Sequence, residues 1–307
     1  MALPAAFFTG RKYLVMPFDL YLGIDWTGAQ PARSVAMAAC DAAGLVRPVQ
    51  PQGRFWERLE VAHWIADQAA GGKRILAGFD FAFAMPWVTG QGYLDGRVPD
   101  VADMPALWDL VEEASAGGAD AFAGAAVLDP RLFPSFWISG PTPAHWGDGS
   151  TKRRRVEMVA ADTGAGTPVS VFKLAAAAKQ VGKASLAGMR TLRHLRALMG
   201  DGLCVWPLDM PGSGQSVVME IYPTLFRKQA LGGNRKVVER KVLEPGLAFY
   251  GCHADASLPD RFDDHIGDAM ISAAGLRHLS RLPSAWAPAG MDAENARREG
   301  WIFGVGA

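Results

Sequence analysis

Apolar residues recur in two registers along this chain, every second position in some stretches and every third or fourth in others, which predicts an α/β architecture. Tyr21 to Trp26 reads as a short strand, Arg33 to Asp41 as a second and Gly44 to Val49 as a third, with Asp41-Ala42-Ala43-Gly44 turning between the last two. Three consecutive strands with short connections predict an antiparallel meander. From Phe55 to Ala70 the side chains of Phe55, Leu59, Ala62, Ile65, Ala66 and Ala69 keep a helical period that Gly71-Gly72 closes. Lys73 to Phe81 follows as an apolar strand. Reached through a helix, it is expected to run parallel to a sheet neighbour by a right-handed crossover.

Between about 82 and 150 the periodicity breaks into segments rich in Pro, Gly and Trp, including Trp87, Trp108, Trp137 and Trp146, which reads as an insertion over the sheet's functional edge. Phe172 to Met199 reads as one long helical stretch, or two helices meeting near Gly182 to Gly188. Cys204 to Leu208 and Val217 to Tyr222 are two further strands, joined by a hairpin or a wide loop. Arg227, Lys228, Arg235, Lys236, Arg240 and Lys241 form a basic region around a short helix. The last helix spans Asp263 to Leu279: Ile266, Met270, Ala273 and Leu276 make its buried stripe, Asp264 and Asp268 fall on the opposite side, and His265 lies between them. Glu299 to Val305 is expected to add an edge strand.

With 307 residues, half of them hydrophobic, the chain can bury a large core. One domain over 21–307, carrying the insertion at about 82–150 and preceded by an extension over 1–20, accounts for the pattern. Basic and acidic residues balance at 31 each, so no global field draws in a polyanion, and any nucleic-acid contact must come from local patches. The run Lys152-Arg153-Arg154-Arg155 is the candidate phosphate contact, although such runs are commonly just solvated surface. Cys40, Cys204 and Cys252 form no Cys-x-x-Cys pair, which fits a reducing compartment without structural zinc. No window offers the roughly twenty apolar residues a membrane span needs, so a cytoplasmic protein without a membrane partner is expected.

Four segments end in a carboxylate where a strand or helix should present it: Gly23-Ile24-Asp25, Gly78-Phe79-Asp80, Met219-Glu220 and Asp263-Asp264-His265-Ile266-Gly267-Asp268. Burying several such charges together is unfavourable unless a cation neutralises them, and Mg2+ or Mn2+ prefers oxygen ligands. Each residue also has a plainer role. Asp25 could bond turn amides, Glu220 could pair with an Arg of the basic group just beyond it, Asp263 or Asp264 could cap the helix, and His265 could be a surface histidine.

The element order, together with Gly23-Ile24-Asp25, Gly78-Phe79-Asp80, Glu220-Ile221-Tyr222-Pro223 and Asp263-Asp264 with Asp268-Ala269, resembles a family of unknown function described as predicted RNase H-like nucleases, over about Tyr21 to Leu279. His265-x-x-Asp268-Ala269 is also similar to the last helix of RuvC-type Holliday junction resolvases. The resemblance implies an RNase H-like mixed sheet flanked by helices, three antiparallel strands followed by parallel ones, and hydrolysis of phosphodiester bonds in DNA or RNA. It implies Asp25, Asp80 and Asp268 as ligands of Mg2+ or Mn2+, with Glu220, Asp264 and His265 as further catalytic residues. Many such nucleases carry Glu where this chain has Asp80. RuvC-type relatives work as dimers, which makes a homodimer the implied assembly. In two-cation chemistry the ions sit about 4 Å apart and share a carboxylate, for which Asp25 is the candidate. Two other classes remain open on the residues alone. Gly23-Ile24-Asp25-Trp26-Thr27-Gly28 resembles the phosphate-binding turn of actin-type and sugar-kinase ATP-dependent phosphotransferases, and a non-catalytic binding module on the same frame fits the neutral charge.

Overall fold

The computed structural model describes residues 17–115, 117–173 and 181–307. Most of the expected extension over 1–20 therefore lies outside the described residues, while Phe18 is already packed in the core. Strand β1 (Leu20–Asp25) is buried along its whole length, which its run of apolar and small residues permits. β2 (Ala36–Asp41) runs antiparallel to it and β3 (Leu45–Val49) antiparallel to β2. Helix α1 (Arg58–Ala70) crosses over to β4 (Ile75–Phe79), which pairs parallel to β1 on the other side. The second strand starts three residues later than the pattern predicts, because residues 33–35 belong to the turn that follows β1.

The expected insertion holds a two-stranded ribbon, β5 (Trp87–Val88) with β6 (Gly92–Tyr93), and helix α2 (Met104–Ala114). It is not a layer laid over the sheet edge. Phe83, Tyr93, Leu107 and Trp108 share one apolar cluster with Leu22, Ile24 and Phe79, and the buried Trp108 indole donates to the carbonyl of Phe83 at 2.8 Å. Full burial of side chains of this size contributes about 1.5–3 kcal/mol each, so the region is part of the core and not an accessory.

After α3 (Arg155–Asp162) comes α4 (Val181–Met199), continuous through Gly182 and Gly188; the expected helical residues 174–180 lie outside the described residues. β7 (Leu203–Val205) and β8 (Ser216–Glu220) then pair in parallel, so the link between them is a wide loop and not a hairpin. The basic region forms two helices, α5 (Pro223–Leu231) and α6 (Arg240–Phe249), followed by the edge strand β9 (His253–Ala254). α7 (Asp264–Leu279), α8 (Pro283–Trp286) and α9 (Ala293–Arg298) complete the chain. The seven-stranded mixed sheet has the order β7-β8-β4-β1-β2-β3-β9. The carboxyl-terminal segment adds a single bridge and no edge strand: Ile302 lies beside Glu220, past the point where β7 ends.

Alternation along the strands divides the core into two faces. Leu20, Leu22 and Ile24 of β1, with Ile75, Ala77 and Phe79 of β4, pack with residues of α1, α2 and α4. Tyr21, Leu76, Val217 and Met219 pack with residues of α5, α6 and α7. Helix α7 is buried nearly all round, in place of the one-sided stripe expected, because its Ala, Gly and Ser residues let it sink against the sheet. Gly23 permits the closest approach: a Cβ there would stand 2.1 Å from the carbonyl oxygen of Ala269. That contact places Asp268, one residue earlier, beside the end of β1.

Candidate metal centre at the ends of β1 and β4

Parallel pairing of β1 with β4 in the register Ile24 to Phe79 brings the next residues, Asp25 and Asp80, side by side. The amide of Asp80 still donates to the Ile24 carbonyl at 3.0 Å, which fixes its backbone to the sheet. By alternation both carboxylates belong to the α7 face. Asp268 comes down from α7 onto the same place, and Asp25 and Asp268 are only 7% and 5% exposed.

The electrostatics follow from this crowding. Burial, then the charges of Asp25 and Asp268 and a carboxyl–carboxyl hydrogen bond with Asp25, push the Asp80 carboxyl well above the ordinary carboxylate range, with Arg227 only partly opposing. Burial likewise raises Asp25, against the hydrogen bond and charge of His265. His265 Nδ1 donates to Asp25 Oδ2, and that bond raises the imidazole pKa to about 9 although burial acts the other way. Arg227 of α5 donates to Asp268 Oδ1. Lys236 spans two acids, its Nζ at 3.2 Å from Asp268 Oδ2 and 2.9 Å from Asp264 Oδ2. Burial disfavours the Lys236 charge, but these partners outweigh it and raise its pKa, while the bond to Lys236 lowers that of Asp264. Among the described residues no cation pairs directly with Asp80.

Two of the candidate residues, Asp263 and Glu220, have definite structural partners. Asp263 caps α7, accepting from the His265 amide at 2.8 Å. Among the described residues, Asp263, Asp264 and His265 at the mouth are the group whose ligand atoms all lie within 4.8 Å of one another; Asp25, Asp80 and Asp268 stand farther apart than that. Glu220 does not join Asp25 and Asp80. It lies opposite Phe79 in the β4–β8 register, so its side chain leaves the sheet on the other face. There Arg154 holds it at 2.5 and 2.7 Å, and the amide of Phe83 donates to it at 3.1 Å. Its pairing with an arginine matches the plainer expectation, but the partner comes from the run at 152–155 and not from the basic group beyond β8.

That pairing corrects the candidate phosphate contact. Lys152 and Arg154 are 3% and 1% exposed, Lys152 bound to Asp95 at 2.8 Å and Arg154 to Glu220 and Glu157, so neither can reach a phosphate. Arg153 is half-buried, and only Arg155 of the four is exposed. Burial raises the Glu157 carboxyl to about 7, with Arg154 opposing. A cavity of about 210 Å³ joins the two regions, lined among others by Trp26, Asp80, Arg154, Glu157 and Tyr222.

Arg227 and Lys236 are the site residues that sequence reasoning missed. Both stand in the basic region noted after β8, and the signal was present as an unmet demand: acids crowded at the ends of apolar strands need counter-charges, and this basic cluster lies along the chain between β8 and α7. No protein-family model, curated protein or solved structure matches the chain. Among the described residues no helix is long and apolar enough to cross a membrane.

Proposed function

We propose that this chain is a divalent-metal-dependent nuclease on an RNase H-like frame, with Asp25, Asp80 and Asp268 holding Mg2+ or Mn2+. The observation that carries the reading is that Asp25 and Asp80 follow two adjacent parallel strands with the charge of Asp268 close to both, and that Asp80 has no cation of its own among the described residues. The sheet order β3-β2-β1-β4-β8, with only β2 running against its neighbours, supports the architecture. An all-oxygen donor set suits a hard cation, which when bound supplies charge neutralisation for the acids and for the phosphoryl oxygens under attack.

The chain's own residues divide the remaining work. Asp25 and Asp80 provide the paired carboxyls, both of which burial drives toward the protonated form while no cation is bound. Arg227 orients Asp268, and Lys236 orients Asp268 and Asp264. His265, protonated at neutral pH and half-exposed at the mouth, is placed to give a proton to the departing oxygen. Exposed Lys236, Lys241 and Arg261 flank the amino-terminal end of α7, where residues 238 and 262 are joined by a backbone bond. They replace Lys152 and Arg154 as contacts for the nucleic-acid backbone.

A phosphotransferase reading has less support. The turn at Thr27-Gly28 is filled by protein: a Cβ on Gly28 would stand 2.4 Å from the Ala184 amide of α4, and Arg58 donates to the carbonyls of Thr27 and Ala29. The nuclease reading is tested by incubating the full chain with single-stranded DNA, duplex DNA and RNA in the presence of Mn2+ or Mg2+. Metal-dependent cleavage that Asp25→Asn abolishes, with circular dichroism unchanged, is the expected result; cleavage unaffected by Asp25→Asn overturns it.

A further inference from the structure

Across the sheet from the acid cluster, α1 and α4 pack side by side and bring His63 and His194 together at the surface. Their Nε2 atoms are 3.4 Å apart and their ring centres 5.2 Å apart, with the planes at 77°. These two distances can be compared with two arrangements. Two imidazoles joined head-on by an N–H···N bond of that length would have ring centres about 5.7 Å apart. Two imidazoles bound to one tetrahedral cation at about 2.05 Å have nitrogens about 3.3 Å apart and ring centres about 5.2 Å apart, because both rings radiate from a common point. The observed pair matches the second spacing to about 0.1 Å, a spacing that an N–H···N bond bent at the acceptor ring also gives.

We propose that His63 and His194 form a second metal site, for a borderline cation of the Zn2+, Ni2+ or Cu2+ class, with water completing the coordination. The inference stands apart from the nuclease reading: it uses nitrogen donors, which select a different class of cation from the oxygen donors of Asp25, Asp80 and Asp268, and it lies on the other face of the sheet. Desolvation, followed by the neighbouring His63, lowers the His194 pKa, which keeps this ring in the neutral form that a metal requires. The carboxylate of Glu112 adds negative potential at His194. The adjacent cations Arg190 and Arg193 are already committed to Glu112 and Asp109. Both histidines sit on well-packed helices, so little order has to be created on binding, and a bound ion would tie α1 to α4.

The test is calorimetric titration of the full chain with Zn2+ in excess Mg2+, which fills oxygen sites, followed by titration with Co2+ read by visible absorption. One Zn2+ per chain is expected, with Co2+ giving the intense bands of a tetrahedral nitrogen-containing site. His63→Ala and His194→Ala should each weaken binding by about tenfold or more, while the double variant Asp25→Asn/Asp80→Asn should bind as before. Zn2+ binding that is absent, or unchanged in His194→Ala, or lost only in the aspartate double variant, overturns the proposal. Failure of the nuclease assay leaves every one of these outcomes readable.

Discussion

The ends of β4 and β8 carry two carboxylate networks on opposite faces of one sheet, and they are built to opposite ends. On one face Glu220 and Glu157 enclose Arg154, each at 2.9 Å or less, and all three are buried. The guanidinium fork meets Glu220 with two parallel bonds, and the Phe83 amide takes up further acceptor capacity. On the other face Asp25, Asp80 and Asp268 crowd together electrostatically, while of these three acids Arg227, Lys236 and His265 pair with Asp25 and Asp268 and not with Asp80. The first network closes on itself and holds the carboxyl-terminal segment, whose Glu299 carbonyl accepts from Arg154 at 3.0 Å. The second leaves an acid that burial and like charges drive toward protonation. A difference of one residue in strand parity separates a structural clasp from a candidate reaction centre.

The largest effect is expected from breaking the clasp. Arg154→Met removes the cation that buried Glu157 and Glu220 share and should cost on the order of 3–5 kcal/mol of folding stability by chemical denaturation. Mn2+ should still raise the melting temperature of whatever folded protein remains. A loss below about 1 kcal/mol would mean that the clasp is not a structural element.

Relieving the other network should have the opposite sign. Asp80→Asn removes an acid that must either take up a proton or carry a charge its neighbours repel, so the metal-free protein at neutral pH should become more stable, on the order of 1 kcal/mol, while the stabilisation by Mn2+ disappears. Destabilisation with an intact Mn2+ response would contradict the reading of Asp80 as a strained ligand.

A smaller effect should appear in the pH dependence. Asp80 and Glu157 have folded pKa values raised above 3.8 and 4.5, Glu157 to about 7, so the stability they confer is present at acid pH and declines as pH rises through those folded values. His265, raised from 6.5 to about 9, contributes stability that is complete below 6.5 and is lost as pH climbs through about 9. Denaturation of metal-free protein across this range should show both declines. In His265→Gln the decline between 6.5 and 9 should flatten and the lower one should persist; an unchanged upper limb would show that the pair with Asp25 is not formed.

Much of the site could be read from local pattern. The β1–β3 meander, α1 and the placement of Asp25 and Asp80 after apolar strands all follow from periodicity within a few residues. Glu220 looked the same by that measure, and only the β4–β8 register, a long-range property, sends it to the other face. α7 misled for a related reason. Its Ala, Gly and Ser residues are small enough to be buried on every side, so the 3.6-residue stripe understated its contact with β1. The run at 152–155 looked like surface because composition alone cannot show that Glu157 and Glu220 wait inside for Arg154, or that Lys152 turns inward to reach Asp95.

The central claim, that the α7-face acids are arranged for a divalent cation, is tested most directly by anomalous diffraction from crystals soaked in Mn2+. The account predicts a peak within ligand distance of the carboxylates of Asp25 and Asp80. A peak confined to Asp263, Asp264 and His265, or the absence of any peak on that face at saturating Mn2+, would contradict it.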